Sequence, residues 1–106
     1  MLIDSIILAQ QGHDPDMLLL ISKFSGIFKK YGRKLGYEDA EQDLTADFIE
    51  LIHHINLEKL NNTSDGAIVN FLVQSMYHFY IKRLKKEIDQ KVPVVSLEDL
   101  TPTQSN

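Results

Sequence analysis

The apolar residues before Val92 recur every three or four positions and do not alternate with polar residues over any sustained run. Such spacing is typical of amphipathic α-helices, whereas a half-buried strand needs a period of two. The chain is therefore predicted to be all-α, with a compact four-helix domain over residues 1–91. Residues 92–106 include Pro93 and close on a polar sequence, which favours a linker or disordered tail.

The first two predicted helices are separated by a short stretch that contains Gly12. A short amphipathic helix spans residues 2–9 and is expected to pack as an accessory. The second helix is predicted to begin at Asp14 as its cap, with Pro15 in the first turn, where its missing N–H costs little. It runs to about Leu35, and Gly36 is placed to end it.

The third and fourth helices are predicted on either side of a polar loop. Asp39 is a plausible cap for the third helix, which ends at about Ile55. The polar residues 61–66 predict a turn, and residues 68–88 read as one long helix. The apolar face of that helix is predicted to contain Ile68, Phe71, Leu72, Ser75, Phe79 and Leu84.

Composition excludes several kinds of chemistry. The 106 residues contain no cysteine, so disulfides, thiolate zinc sites and cysteine nucleophiles are ruled out, and the cytoplasm is the expected compartment. No secretory leader or segment of membrane-spanning length is predicted. The adjacent His53 and His54 diverge on a helix and do not converge on one metal ion. Without a catalytic triad or glycine-rich phosphate loop, the chain is predicted to be neither an enzyme nor a cofactor-binding protein.

The net charge of −4 is unevenly distributed along the chain. Residues 23–34 carry five cations and no acid, whereas residues 38–50 carry six acids and no cation. Basic residues return at 82–86, beside aromatic residues. This asymmetry indicates separate surfaces for partners of opposite charge.

The acidic helix carries a family resemblance. One motif begins with Asp43-Leu44 and continues through Asp47 to Phe48-Ile49-Glu50-Leu51-Ile52. This motif resembles the polymerase-binding helix of region 2 in sigma-70 family factors. The order of elements from about Pro15 to Glu87 is also similar: a helix with a basic end, a Gly-Tyr turn, the acidic helix, a polar loop, and a helix with aromatic and basic residues. Within the family, the chain is most similar to the divergent clostridial toxin-gene and bacteriocin-gene sigma factors.

The resemblance implies a function in transcription. A region 2 module binds core RNA polymerase and helps to recognise and melt the minus-ten element of the promoter. Ala46 stands where the family often has Gln, and the fourth helix follows the family pattern only loosely, so the base preference is not predicted. The 106 residues hold no second helix-turn-helix domain, which fits an excised domain as well as a stand-alone sigma co-factor.

Two sets of site residues follow from the resemblance and from charge. The acids of the third helix lie on one stripe that can receive a basic partner helix, and aromatics beside cations can stack unpaired bases and pair phosphates. The predicted polymerase-binding residues are Asp43, Leu44, Asp47, Glu50 and Leu51. The predicted DNA-binding residues are Lys29, Lys30, Arg33, Tyr77, Tyr80, Lys82, Arg83 and Lys86.

Other interpretations remain open at this point. Charge runs are commonly solvated faces, cations at a helix end are favourable on electrostatic grounds alone, and Phe79 is as easily a core residue. A helical protein–protein interaction regulator of a mobile element or phage is the alternative function. Further partners consistent with the resemblance are an anti-sigma factor and a companion sigma subunit.

Overall fold

The computed structural model describes residues 1–91, which form four α-helices and no strand, as the spacing of apolar residues predicts. Residues 92–106, and with them the predicted linker, lie outside the described residues. The helices are α1 (Leu2–Gln10), α2 (Asp14–Leu35), α3 (Ala40–His54) and α4 (Asp65–Lys91), with a single 3-10 turn at Leu57–Lys59.

The start of α2 differs from the prediction. The N-cap is His13 and not Asp14, which already lies inside the first turn with Pro15. The His13 ring contacts the carboxylate of Asp16. The predicted end is confirmed, because Gly36 follows Leu35 in the left-handed conformation, at φ 79°, that a residue without a Cβ adopts most easily.

The loop between α3 and α4 is shorter than predicted. Asp39 is the N-cap of α3 by position, although its side chain makes no capping hydrogen bond. The helix α4 begins at Asp65 because the Ser64 hydroxyl accepts a hydrogen bond from the amide of Ala67 at 3.3 Å, as a capping side chain does. The 3-10 turn has its own cap, Asn56, whose side chain accepts from the amide of Glu58.

The core lies where the other helices pack on α2. The ring of Phe48 in α3 stands 5.2 Å from that of Phe24 and 5.1 Å from that of Phe28, both in α2. The helix α1 supplies Ile6 and Ala9 to this core, so it is an integral element and the expected accessory role is wrong. On α4 the fully buried residues are Ile68, Leu72 and Met76, whereas Phe71, Ser75, Phe79 and Leu84 are half-buried.

Two close contacts fix the arrangement of the helices. At Gly32 a Cβ would lie 3.1 Å from the backbone nitrogen of Glu41, so the missing side chain lets α2 approach the start of α3. At the opposite end of α3, Gln10 Nε2 donates to the carbonyl oxygens of Ile52 at 2.9 Å and Ile55 at 2.8 Å. The side chain of Gln10 therefore satisfies carbonyls that the end of a helix leaves without partners.

Candidate nucleic-acid and protein-binding surfaces

Three tyrosines form a cluster where α2 and α4 face each other. The rings of Tyr31 and Tyr80 are stacked, with centroids 4.5 Å apart and planes 9° apart. Tyr77 lies 6.3 Å from Tyr31 and 6.2 Å from Tyr80, and 45% of its surface is exposed. The cluster thus offers a partly exposed aromatic surface whose members are already held by one another.

Exposed lysines of α2 lie beside this cluster. The Nζ of Lys30 stands 5.8 Å from the centre of the Tyr31 ring, within range of a cation–π interaction. Lys34 follows Lys30 by one helical turn, so the two cations share one stripe at the end of α2 that holds Tyr31. We call Tyr31, Tyr77 and Tyr80, together with Lys30 and Lys34, the tyrosine surface.

The helix α4 separates residues that the sequence analysis grouped together. Lys82 and Lys86 line a hollow with Phe79 and Arg83 on the side of α4 that faces Asp47 of α3. The side chains of Tyr77 and Lys86 point about half a turn apart around the helix. Tyr77 and Tyr80 therefore belong to one surface, and Lys82 and Lys86 to another.

Arg83 is engaged by α3. Its Nε donates to Asp47 Oδ2 at 2.6 Å and its Nη2 donates to Asp47 Oδ1 at 2.8 Å, a bidentate ion pair. Its Nη1 lies 3.5 Å from Asp43 Oδ2 and 3.5 Å from the hydroxyl oxygen of Tyr37. Arg83 thus connects α4 to α3 and to the turn before α3, and the predicted contact with DNA would require this pairing to open.

The ion pair and the adjoining tyrosine change each other's proton affinity. Hydrogen bonds to the Asp47 carboxylate raise the pKa of Arg83 further above its usual range, so its charge is permanent. Burial raises the pKa of Tyr37, and the hydrogen bond that its hydroxyl donates to Asp43 at 2.9 Å raises it again. Tyr37 is therefore held in its neutral, donating form.

The acids predicted to bind polymerase are not equally accessible. Leu44 is fully buried in the core, so it supports α3 from within and is not available for direct contact. The side chain of Asp47 is 18% exposed and that of Asp43 is 42% exposed. Glu50 is exposed and Leu51 is half-buried. Glu50 is therefore the predicted docking acid with the most accessible carboxylate.

Lys29 and Arg33 lie on the other flank of α2. They line a groove of about 430 Å³ together with Gly32 of α2, with Tyr37 and Glu38 of the turn, and with Glu41 at the start of α3. One acid of the turn and one acid of α3 thus accompany the two cations in this groove. Lys29 and Arg33 are separated from the tyrosine surface, whereas Lys30 belongs to it.

Metal and membrane sites are not found in residues 1–91. No group of three or more histidine, aspartate or glutamate side chains there is arranged to hold a metal ion. None of the helices in these residues is long and apolar enough to cross a membrane.

Two residues of these surfaces are absent from the predicted site residues. Tyr31 is one of them, because its stacking on Tyr80 depends on how α2 and α4 pack. Tyr37 is the other: the sequence indicates only its place in the Gly-Tyr turn, and its bond to Asp43 depends on how that turn meets α3.

No protein-family model, curated protein or solved structure matches this chain. The resemblance to sigma region 2 rests on the residues quoted above.

Proposed function

We propose that residues 1–91 are a sigma region 2-like module that binds core RNA polymerase and captures the unpaired promoter strand at the minus-ten element. The observation that carries this proposal is the tyrosine surface, where stacked and exposed aromatic rings lie beside two exposed lysines. Bases leaving a duplex lose their stacking partners, and aromatic side chains replace that stacking at about 1 to 3 kcal/mol per base.

The arrangement of the tyrosine surface suits an unpaired strand better than a duplex. Tyr77 is exposed enough to receive a base, and the stack between Tyr31 and Tyr80 fixes the neighbouring rings in advance. Lys30 and Lys34 can pair with phosphates of any sequence. The chain carries a net charge of −4, so free duplex is bound weakly and the contact becomes useful when polymerase holds the opened strand nearby.

Docking on polymerase is assigned to the exposed part of α3, with Glu50 as its principal acid. Asp43 and Asp47 contribute less than the resemblance implies because Arg83 already pairs with Asp47 and approaches Asp43. The module has no catalytic role; RNA synthesis belongs to the polymerase. Opening of the promoter is driven by preferential binding to the opened DNA.

Permanganate footprinting of a promoter bound by polymerase and this protein tests strand capture, because permanganate reacts with unpaired thymines. We expect Tyr77→Ala and Lys30→Ala to weaken the footprint. The matched controls are Phe79→Leu and Lys82→Ala on the opposite side of α4, which leave it unchanged. Equal footprints for wild type and a folded Tyr77→Ala, Lys30→Ala double variant would remove the tyrosine surface from promoter opening.

Docking is tested separately by retention on immobilised core polymerase. Glu50→Lys changes an exposed charge that pairs with no cation within residues 1–91, so it is expected to lower retention without unfolding the protein. Asp47→Lys is a poorer variant because it also places a second cation against Arg83. Full retention of Glu50→Lys would show that this part of α3 does not dock.

A protein–protein interaction regulator is the second candidate. It is favoured by two exposed leucines in α2, Leu18 at 65% and Leu19 at 46% exposure, since large apolar side chains left exposed are candidates for contact with a protein. Binding of labelled single-stranded DNA at increasing salt separates the two. A regulator that contacts only protein gives no salt-dependent strand binding.

A further inference from the structure

The hollow between α3 and α4 has features of a binding site that the proposed function does not use. It has a volume of about 250 Å³ and is lined by Asp47, Phe79, Lys82, Arg83 and Lys86. Phe79 is half-buried and packs against the core, so it offers an apolar face to the hollow. We call this site the α4 hollow.

The charge of the α4 hollow is positive. Asp47 and Arg83 neutralise each other in their ion pair. Lys82 and Lys86 are exposed, and neither pairs with a carboxylate within residues 1–91. The complementary occupant is a short segment that combines an apolar side chain for Phe79 with two carboxylates for the lysines.

This chain contains a segment of that composition. Leu97-Glu98-Asp99-Leu100 places two acids between two leucines, and residues 92–106 contain no lysine or arginine. The segment therefore carries an apolar side chain to complement Phe79 and two carboxylates to complement Lys82 and Lys86.

The chain is long enough to bring this segment to the hollow. Lys82 lies about 14 Å before Lys91 along α4, at about 1.5 Å per residue. Residues 92–98 span up to about 23 Å when extended. That length exceeds the distance back to Lys82, so Glu98 and Asp99 are within reach of both lysines.

We propose that the segment 97–100 of this chain binds in the α4 hollow, with a leucine against Phe79 and with Glu98 and Asp99 paired to Lys82 and Lys86. The contact is independent of the proposed function, because it uses neither the tyrosine surface nor Glu50. It covers the face next to Asp47, so a partner that approaches this face of α3 competes with the chain's own segment.

The absence of cysteine makes the test direct. Thr103→Cys in the full chain provides one thiol for a nitroxide label, and the broadening of backbone amide signals by NMR reports which residues the label approaches. We expect Phe79, Lys82 and Lys86 to be broadened several-fold more than Tyr31 and Tyr77, which lie together on the tyrosine surface on the other side of α4. Equal broadening of the two sides would overturn the proposal.

Charge exchange tests the pairing itself. The double variant Lys82→Glu, Lys86→Glu is expected to abolish the selective broadening. The double variant Glu98→Lys, Asp99→Lys is expected to abolish it as well. Combining all four substitutions restores opposite charges on the two sides and is expected to restore the broadening. The control pair Lys30→Glu with Lys34→Glu makes the same change on the tyrosine surface and leaves the broadening in place. The proposal would be wrong if the selective broadening persisted in the double variant Lys82→Glu, Lys86→Glu. It would also be wrong if the broadening moved to residues 30–34, because the segment would then not bind the α4 hollow.

Discussion

Removing Asp47 is expected to destabilise the fold by about 2 kcal/mol. The loss of a fully buried partner costs about 3 to 5 kcal/mol, and exposed ion pairs are worth about 0.2 to 1 kcal/mol. The side chains of Asp47 and Arg83 are 18% and 26% exposed, which places this pair between the two limits. Asp47→Ala also leaves the Arg83 cation partly desolvated beside an empty site.

Thermal and urea unfolding followed by circular dichroism measure this cost. A loss of about 2 kcal/mol in a domain of this size lowers the Tm by roughly 10 °C. Glu50→Ala is the matched control, an exposed acid of the same helix, and is expected to change stability by less than about 0.5 kcal/mol. A double-mutant cycle of Asp47→Ala with Arg83→Met is expected to give a coupling energy of about 1 to 2 kcal/mol. Equal stabilities for Asp47→Ala and Glu50→Ala, with no coupling to Arg83, would refute the reasoning.

Three further predictions concern packing, pH and helix ends. Gly32→Ala is expected to lower the free energy of unfolding in urea by about 1 to 3 kcal/mol because the added Cβ meets the backbone of Glu41. Gly26→Ala is the control: its Cβ would have no atom within 4 Å, so it is expected to be neutral or stabilising. The raised pKa of Tyr37 means that the folded state holds the hydroxyl proton more tightly than the unfolded state does. The stability that this proton contributes is present below about pH 10 and is lost as the pH rises through the raised pKa. Between about pH 8 and pH 11, the urea midpoint is therefore expected to fall more steeply for wild type than for Tyr37→Phe. Gln10→Ala is expected to lower the free energy of unfolding by about 1 to 2 kcal/mol because the carbonyls of Ile52 and Ile55 lose the donor that Gln10 supplies. The control is Gln11→Ala, which removes an exposed side chain, and an equal loss of stability in the two variants would contradict this prediction.

The fold could be predicted from sequence where the signal is local. Apolar spacing locates all four helices, and Gly36 ends α2 as expected, because periodicity and glycine conformation act within a few residues. The start of α4 was placed too late because the capping signal at Ser64 was read only as part of a polar turn.

The candidate site was less predictable because it depends on how helices face one another. Their adjacency along α4 predicts one surface of aromatic and basic residues, yet Tyr80 turns toward Tyr31 and Arg83 turns toward Asp47. The pairing of Arg83 joins residues of opposite charge in two helices that the sequence analysis assigned to different partners. No local pattern indicates such a pairing, since it is decided by the packing of α4 on α3.

The bond from Gln10 to the end of α3 bears on the order of folding. The two carbonyl acceptors lie more than forty positions away along the chain, so this contact forms only after α1, α2 and α3 have come together. Because the bond ends on carbonyl oxygens, its effect on the amides of the last turn of α3 is indirect: it holds that turn against fraying once α1 has docked. Slower hydrogen exchange in that turn is therefore expected to report the docking of α1 on α3.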